Sequence, residues 1–260
     1  MYIPFFSKVF RYYRNWRTTA ADPRHSDTYL VEYPKSGVTW LSTLLANAAL
    51  IQSERKEVAN FVTSRLYVPD IHLSRNIGPA VHVSPPVRFI KSHAERNDNY
   101  IFVIYLVRKP ISVLRSYYRF LNDHRVNPYA DFDAFCRSEK YGVSAWKKHV
   151  RSWLEGADRG RVIHVVRYED LVFDAYNELS VLNGNFGWGL DDKVMAAAVS
   201  RSAANEMMKS ESLYASRNPI HAGIFVKGQD SFMVKSETID YVNSECQYEL
   251  KISGYSTDVF

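Results

Sequence analysis

One eight-residue stretch, Tyr33-Pro34-Lys35-Ser36-Gly37-Val38-Thr39-Trp40, restricts this chain more than any other feature. It is preceded by an apolar, β-prone run, Tyr29-Leu30-Val31-Glu32-Tyr33, and followed by a helix-prone segment, Leu41 to Ala49. Strand, tight loop and helix in that order aim free backbone N–H groups and a positive dipole end at an anion. Gly37 lets the backbone close on a phosphate, Lys35 adds a mobile charge, and Ser36 and Thr39 add hydroxyl donors. The loop is P-loop-like without being the nucleotide triphosphatase pattern, because its lysine precedes its glycine. The competing reading is a strand–turn–helix corner with an incidental lysine.

The rest of the chain supplies an α/β frame for such a loop. Val87 to Lys91, Tyr100 to Val107 and Val162 to Val166 are short apolar runs of the kind expected for strands covered on both faces. Helical patterns fall over 111–121, 131–138, 144–155, 174–183, 191–209 and 236–252, with an irregular stretch at 212–234. Alternation of strands and helices predicts a mostly parallel central sheet flanked by helices, with ligands at the carboxyl ends of the strands. With 260 residues, 46% of them hydrophobic, and no internal repeat or linker, residues 1–260 are expected to form a single domain.

A net charge of +5 favours anionic partners only mildly. The two cysteines, Cys136 and Cys246, lack metal-ligand spacing and are too few for a disulfide framework. No run reaches transmembrane length and no secretory signal is read, so the chain is expected in the cytoplasm. Residues 1–22 form an amphipathic basic segment: within 2–17, Phe5, Val9, Tyr12 and Trp16 recur at helical spacing among Lys8, Arg11, Arg14 and Arg17. Such a stripe can pack on the core or lie as a peripheral contact on the inner membrane face. Residues 52–86 carry several breakers and are expected to form an acceptor-side lid.

Tyr-Pro-Lys-Ser-Gly-x-Thr-Trp resembles the 5′-phosphosulfate loop of cytosolic-type sulfotransferases, which use 3′-phosphoadenosine 5′-phosphosulfate (PAPS). Four further segments fit that resemblance in order. Lys91-Ser92-His93 is similar to the family's Lys-Thr-His, whose histidine is the catalytic base. Arg108-Lys109-Pro110 through Ser116 resembles the 3′-phosphate segment, and Tyr168-Glu169-Asp170 the element whose tyrosine approaches the adenine. Lys227-Gly228 resembles the segment that closes over the 3′-phosphate.

The resemblance implies PAPS as co-substrate, adenosine 3′,5′-bisphosphate as product, no metal and no nucleic-acid partner. It implies nucleotide contacts from Lys35, Ser36, Gly37, Val38, Thr39, Trp40, Arg108, Ser116, Tyr168, Ser202, Lys227 and Gly228. His93 is expected as base, Lys35 at the breaking S–O bond, Lys91 on the sulfuryl oxygens, and Ser116 as a restraint on Lys35. Expected acceptors carry a hydroxyl: a glycan, a lipid-linked sugar or a small molecule.

Each residue also has a plainer reading. Arg108 can be a surface ion-pair partner, Trp40 a core tryptophan, Ser116 an ordinary helix serine, and His93 one of eight histidines. Several positions depart from the family: Val38 replaces a threonine, Val226 an arginine, Gln229-Asp230-Ser231-Phe232 a Gly-Asp-Trp element, and Ser202-Ala203-Ala204 a Thr-Ser-Phe element. The loss at Val226 removes a charge-assisted hydrogen bond of about 1.5–3 kcal/mol. These departures fit a divergent, bacterial-type member. Two rivals remain in view: a P-loop kinase using Thr39 and Asp170 on magnesium, and a catalytically idle nucleotide-binding scaffold.

Overall fold

Four parallel strands, β1 (Thr28–Glu32), β2 (Phe89–Ser92), β3 (Phe102–Val107) and β4 (Val162–Arg167), form one sheet in the order β2-β1-β3-β4. The computed structural model describes residues 23–72, 87–156, 161–217 and 232–256. The basic N-terminal segment, residues 73–86, and the segment bearing Val226, Lys227 and Gly228 lie outside the described residues.

Val31 pairs with Ser92 on one side and Tyr105 on the other, so β1 is central. Passing from β2 to β3, the chain returns across β1, and the strand order reverses there. Open α/β sheets hold ligands beyond the carboxyl ends of the strands at such a reversal.

The inner strands β1 and β3 read as nearly unbroken apolar runs because both of their faces are covered. Tyr29, Val31, Val103 and Tyr105 enter one core and Leu30, Ile104 and Leu106 the other; none is more than 2% exposed. Helices α1 (Val38–Gln52) and α2 (Ser64–Tyr67) follow β1. After β3 come α3 (Pro110–Asp123), α4 (Phe132–Cys136) and α5 (Val143–Leu154). β4 leads into α6 (Tyr168–Phe173), α7 (Ala175–Phe186), α8 (Asp192–Arg201) and α9 (Ala204–Arg217), and the chain ends in α10 (Ser236–Glu245) and α11 (Gln247–Ile252).

α3, α4, α5, α10 and α11 cover the first face; α1, α7 and α8 cover the second. Pro110 starts α3 with a preset φ, and Asp131, Asp174 and Asp191 cap α4, α7 and α8 through the N–H groups of Ala134, Asn177 and Val194. Cys136 and Cys246 are buried as free thiols. Among the described residues no helix is long and apolar enough to cross a membrane.

Three sequence expectations are corrected. The helix predicted over 191–209 breaks at Ser202, because the Trp40 indole N–H takes the Ser202 carbonyl at 2.7 Å and removes it from the helical ladder. Residues 212–217 are helical: α9 runs on past Glu211, which is fully buried with Met207 on the inward face, a pattern its charge conceals. The helix predicted over 236–252 is two, broken at Cys246. Part of the expected lid is not free either. Ile71 N–H donates to the Lys91 carbonyl and Lys91 N–H to the Pro69 carbonyl, so residues 69–71 pair alongside β2.

At the opposite end of the sheet, Arg88 donates from Nε and Nη2 to the Asp27 carboxylate at 2.8 and 2.7 Å, with both side chains essentially buried. Removing one partner leaves an uncompensated charge in the interior. Arg88→Met is expected to lower unfolding free energy by about 3–5 kcal/mol in urea titrations. A change under about 1 kcal/mol would make the pair dispensable.

Candidate active site

The loop after β1 forms a tight anion cradle. Lys35 has φ 80° and Gly37 φ 115°, so two residues in three sit in the left-handed region. Strain of this kind at a non-glycine residue is held in place by its surroundings, and it gathers at functional sites. The Ser36 hydroxyl and N–H both donate to the Tyr33 carbonyl, at 2.8 and 3.2 Å, closing the turn. Val38 N–H, at the start of α1, donates to Glu32 Oε2 at 2.8 Å. The cradle thus already holds one carboxyl oxygen, supplied by its own chain. Burial raises the Glu32 pKa, opposed by Lys91, the Val38 N–H and Lys35.

Around Glu32 the structure gathers groups from separate strands. His93, two residues along from Lys91 and just past β2, places Nδ1 3.3 Å from the Glu32 carbonyl and 3.7 Å from its carboxylate. Its Nε2 lies 3.8 Å from Asp70 Oδ2, which is also 3.4 Å from Lys91 Nζ. Burial, reinforced by Lys91, holds the His93 pKa well below 6.5, so the ring is neutral. With a carbonyl facing Nδ1, the proton belongs there and the lone pair at Nε2. His72 Nε2 accepts the His93 backbone N–H at 2.7 Å, and the two rings stack at 5.6 Å.

The Lys35 ammonium lies 4.5 Å from the centre of the Phe120 ring on α3. Burial pushes its pKa down to about 8, against the pull of Glu32 and with Lys91 and Arg119 adding to the fall. Ser116 stands one helical turn before Phe120 and is half-buried.

On the far side of β1, Arg108 follows β3 and lies over the Tyr168 ring at 4.2 Å; its Nε is buried without a hydrogen bond among the described residues. Tyr168 in turn meets Trp40 edge-on at 6.1 Å. Ser202 is placed nearby, but its hydroxyl accepts from Asn47 at 2.9 Å and it is 1% exposed, so its polar atoms serve the core. Glu169 clamps the region, accepting from Lys109 N–H and from the Tyr255 hydroxyl. Asp170, the carboxylate a kinase reading needs, pairs with Arg167.

The four strands therefore end, in spatial order, at His93, Lys35, Arg108 and Tyr168. Glu32, Asp70 and His72 are the site residues that sequence reasoning passed over. Pro69-Asp70-Ile71-His72, an acid and an imidazole two apart beside a proline, was the available signal.

Gly37 tests the cradle directly. A Cβ there would sit 2.4 Å from Tyr168 Cδ2, on a backbone that disfavours any side chain. Gly37→Ala is expected to cost about 2–5 kcal/mol, from strain and overpacking together. In urea titrations, adding Tyr168→Ala should recover the steric part but not the backbone part. Full recovery, or no loss in the single variant, would contradict this geometry.

Residues 25–246 match the sulfotransferase domain family. The chain is similar to sulfotransferase 1A1 of Bos taurus, 26% identical over 252 residues, covering 88% of this chain and 84% of that protein. It is 23% identical over 246 residues to sulfotransferase 1C2 of Homo sapiens, with 88% and 81% covered. Its fold is similar to that of mouse sulfotransferase SULT7A1 complexed with PAP, at TM-score 0.62 and 20% identity, covering 88% and 85% of the two chains. Retinol dehydratase in complex with androsterone and inactive cofactor PAP matches at TM-score 0.66 and 17% identity, covering 96% and 87%. With strand ends, cradle and family match in agreement, the chain belongs to the sulfotransferase family, as a PAPS-dependent sulfotransferase.

Proposed function

We propose that this enzyme moves the sulfuryl group of PAPS to an acceptor hydroxyl by in-line displacement, with His93 as the base. The observation that carries the reading is the meeting of Lys35, Lys91 and His93 around Glu32 at the ends of two adjacent parallel strands. The residues present suit a nucleotide with phosphates at both ends. The amides of Ser36 to Thr39 and the Lys35 ammonium fit the 5′ side. Arg108, whose buried Nε has no hydrogen bond among the described residues, and the Lys227-Gly228 segment of the sequence fit the 3′-phosphate. Trp40 and Tyr168 supply aromatic surface for the adenine, and Ser202 supports Trp40 through its carbonyl rather than its hydroxyl.

In this mechanism, the acceptor O–H gives its proton to His93 Nε2 as its oxygen bonds to sulfur and the sulfur–phosphate oxygen bond breaks. The neutral tautomer described above leaves Nε2 ready for that proton. Lys35 meets the charge growing on the departing phosphate oxygen, and Lys91 that on the sulfuryl group. Ser116, on the same face of α3 as Phe120, limits the reach of Lys35. The cations are side chains, so the reading assigns no metal. The retinol dehydratase complexes hold retinol or androsterone, and a hydroxyl-bearing acceptor is assigned here as well. We place the enzyme in the cytoplasm, with residues 1–260 as one domain.

His93→Ala is expected to lower kcat by roughly 10²–10⁴ while adenosine 3′,5′-bisphosphate binding changes little. Near wild-type turnover would remove His93 from the mechanism. Arg108→Ala should weaken binding of adenosine 3′,5′-bisphosphate far more than that of adenosine 5′-phosphate, as read by thermal shift. Equal losses would contradict a 3′-phosphate contact.

The pH profile of kcat/KM for PAPS follows from two depressed pKa values. His93 acts as a neutral base, so its acid limb should fall below pH 6.5. Lys35 acts as a cation, so activity should decline as pH rises through about 8. An acid limb centred above pH 6.5 would oppose the assignment of His93.

A further inference from the structure

Asp70 has no part in the mechanism above, yet it is among the most committed side chains in the molecule. It is 4% exposed, pinned beside β2 by the backbone pairing of residues 69–71, and its Oδ1 accepts His72 N–H at 2.9 Å. Its other oxygen, Oδ2, accepts no hydrogen bond among the described residues. That oxygen is ionised. Burial alone would raise the carboxyl, but Lys91 and the two histidine rings hold it below its ordinary value. Lys91 Nζ, 3.4 Å away, balances the charge without hydrogen-bonding the oxygen, and a buried carboxylate oxygen left short of a hydrogen bond keeps capacity for a donor that a ligand brings.

Beside Asp70 opens a cavity of about 260 Å³ between the start of α1, α2 and the edge of β2. Thr39 of the cradle, Arg65, Asp70 and Lys91 line it, with Val68 and Phe61 as apolar wall. It therefore joins Thr39 of the anion cradle to Asp70 and Lys91, the two charged groups beside His93. A phenol or steroid ring in it would strip water from three charged groups and return nothing.

We propose that Asp70 selects the acceptor, through a hydrogen bond from a second hydroxyl next to the one that is sulfated, so that the acceptor is a neutral polyol of the carbohydrate class. The proposal rests on the sulfotransferase reading above and adds the substrate class. Its geometry is Asp70 on the cavity wall with its Oδ2 3.8 Å from Nε2 of His93, the base of the proposed mechanism. Neighbouring hydroxyls on a ring present two O–H donors at a matching spacing. One donates to Nε2 and becomes the nucleophile, while the other donates to Oδ2 and fixes its orientation. Lys91 and Arg65 beside the carboxylate disfavour an ammonium-bearing acceptor, and the carboxylate disfavours an acidic one. What is left is uncharged and rich in hydroxyls.

The test measures sulfuryl transfer from radiolabelled PAPS by the full chain to matched acceptors: cyclohexanol, cis- and trans-1,2-cyclohexanediol, methyl hexosides and 4-nitrophenol. In the wild type, the better diol or hexoside should exceed cyclohexanol and 4-nitrophenol in kcat/KM by roughly 10²-fold or more, since a site built for a hydroxyl rejects analogues lacking it. Asp70→Ala should collapse that ratio towards one, and Asp70→Asn, which keeps a hydrogen-bonding group, should lie between. Thermal stabilisation by adenosine 3′,5′-bisphosphate checks that each variant is folded and still binds nucleotide.

Three outcomes overturn the proposal. The wild type may use mono-ols as well as diols. Asp70→Ala may lower both by one factor, the mark of a residue that only orients His93. Nucleotide-binding protein may label no diol or hexoside at all. A wild type that adenosine 3′,5′-bisphosphate fails to stabilise is a different failure, of the sulfotransferase reading itself.

Discussion

Parallel pairing is the constraint from which the chemistry of this molecule follows. Strands that run the same way all stop at the same edge, so four segments far apart in sequence deliver their next residues to one place. The two inner strands are buried on both faces, which is why Tyr29 to Val31 and Val103 to Leu106 are apolar without interruption. The polar residues gather at the last paired positions and just beyond them. Glu32, Lys35, His93, Arg108 and Tyr168 all follow this rule, and the side chains that the sheet cannot tolerate become the site.

Local strain and long-range packing then sharpen what the sheet roughly assembles. The cradle holds a left-handed lysine and a left-handed glycine, and Tyr168, from the end of the edge strand β4, packs against the glycine. Trp40 is braced by a carbonyl from the break between α8 and α9, and that brace is what breaks the helix. Lys35 has its tip over Phe120 on α3 while its charge answers to Glu32 and Glu211. Burial lowers the lysine and the histidine together and raises the glutamate between them. The three form one electrostatic unit, and a change in any of them alters the others.

The sequence disclosed those features whose cause is local. A lysine and a glycine between an apolar strand and a helix specify a cradle within a dozen residues, and Pro110 marks the turn after Arg108 for the same reason. Features caused by neighbours across the sheet were hidden. Glu32 reads as one polar residue in an apolar strand, and only the pairing of β1 with β2 sets it against His93. Asp70 and His72 lie in a stretch with no period, positioned by a bridge to Lys91 that no pattern announces. The hydroxyls of Ser36 and Ser202 were assigned to the nucleotide by type, whereas their partners are Tyr33 and Asn47.

The carboxylate of Glu32 on the first amide of α1 bears on which anions the enzyme admits. A tethered oxygen already in contact with Val38 N–H acts as a permanent competitor at very high effective concentration. A small monoanion offers one charge and no second anchor with which to displace it. In the proposed binding mode a nucleotide gripped at two distant phosphates has a second anchor with which to do so. The molecule thereby carries its own threshold against the ionic background, set by one side chain in an otherwise greasy strand.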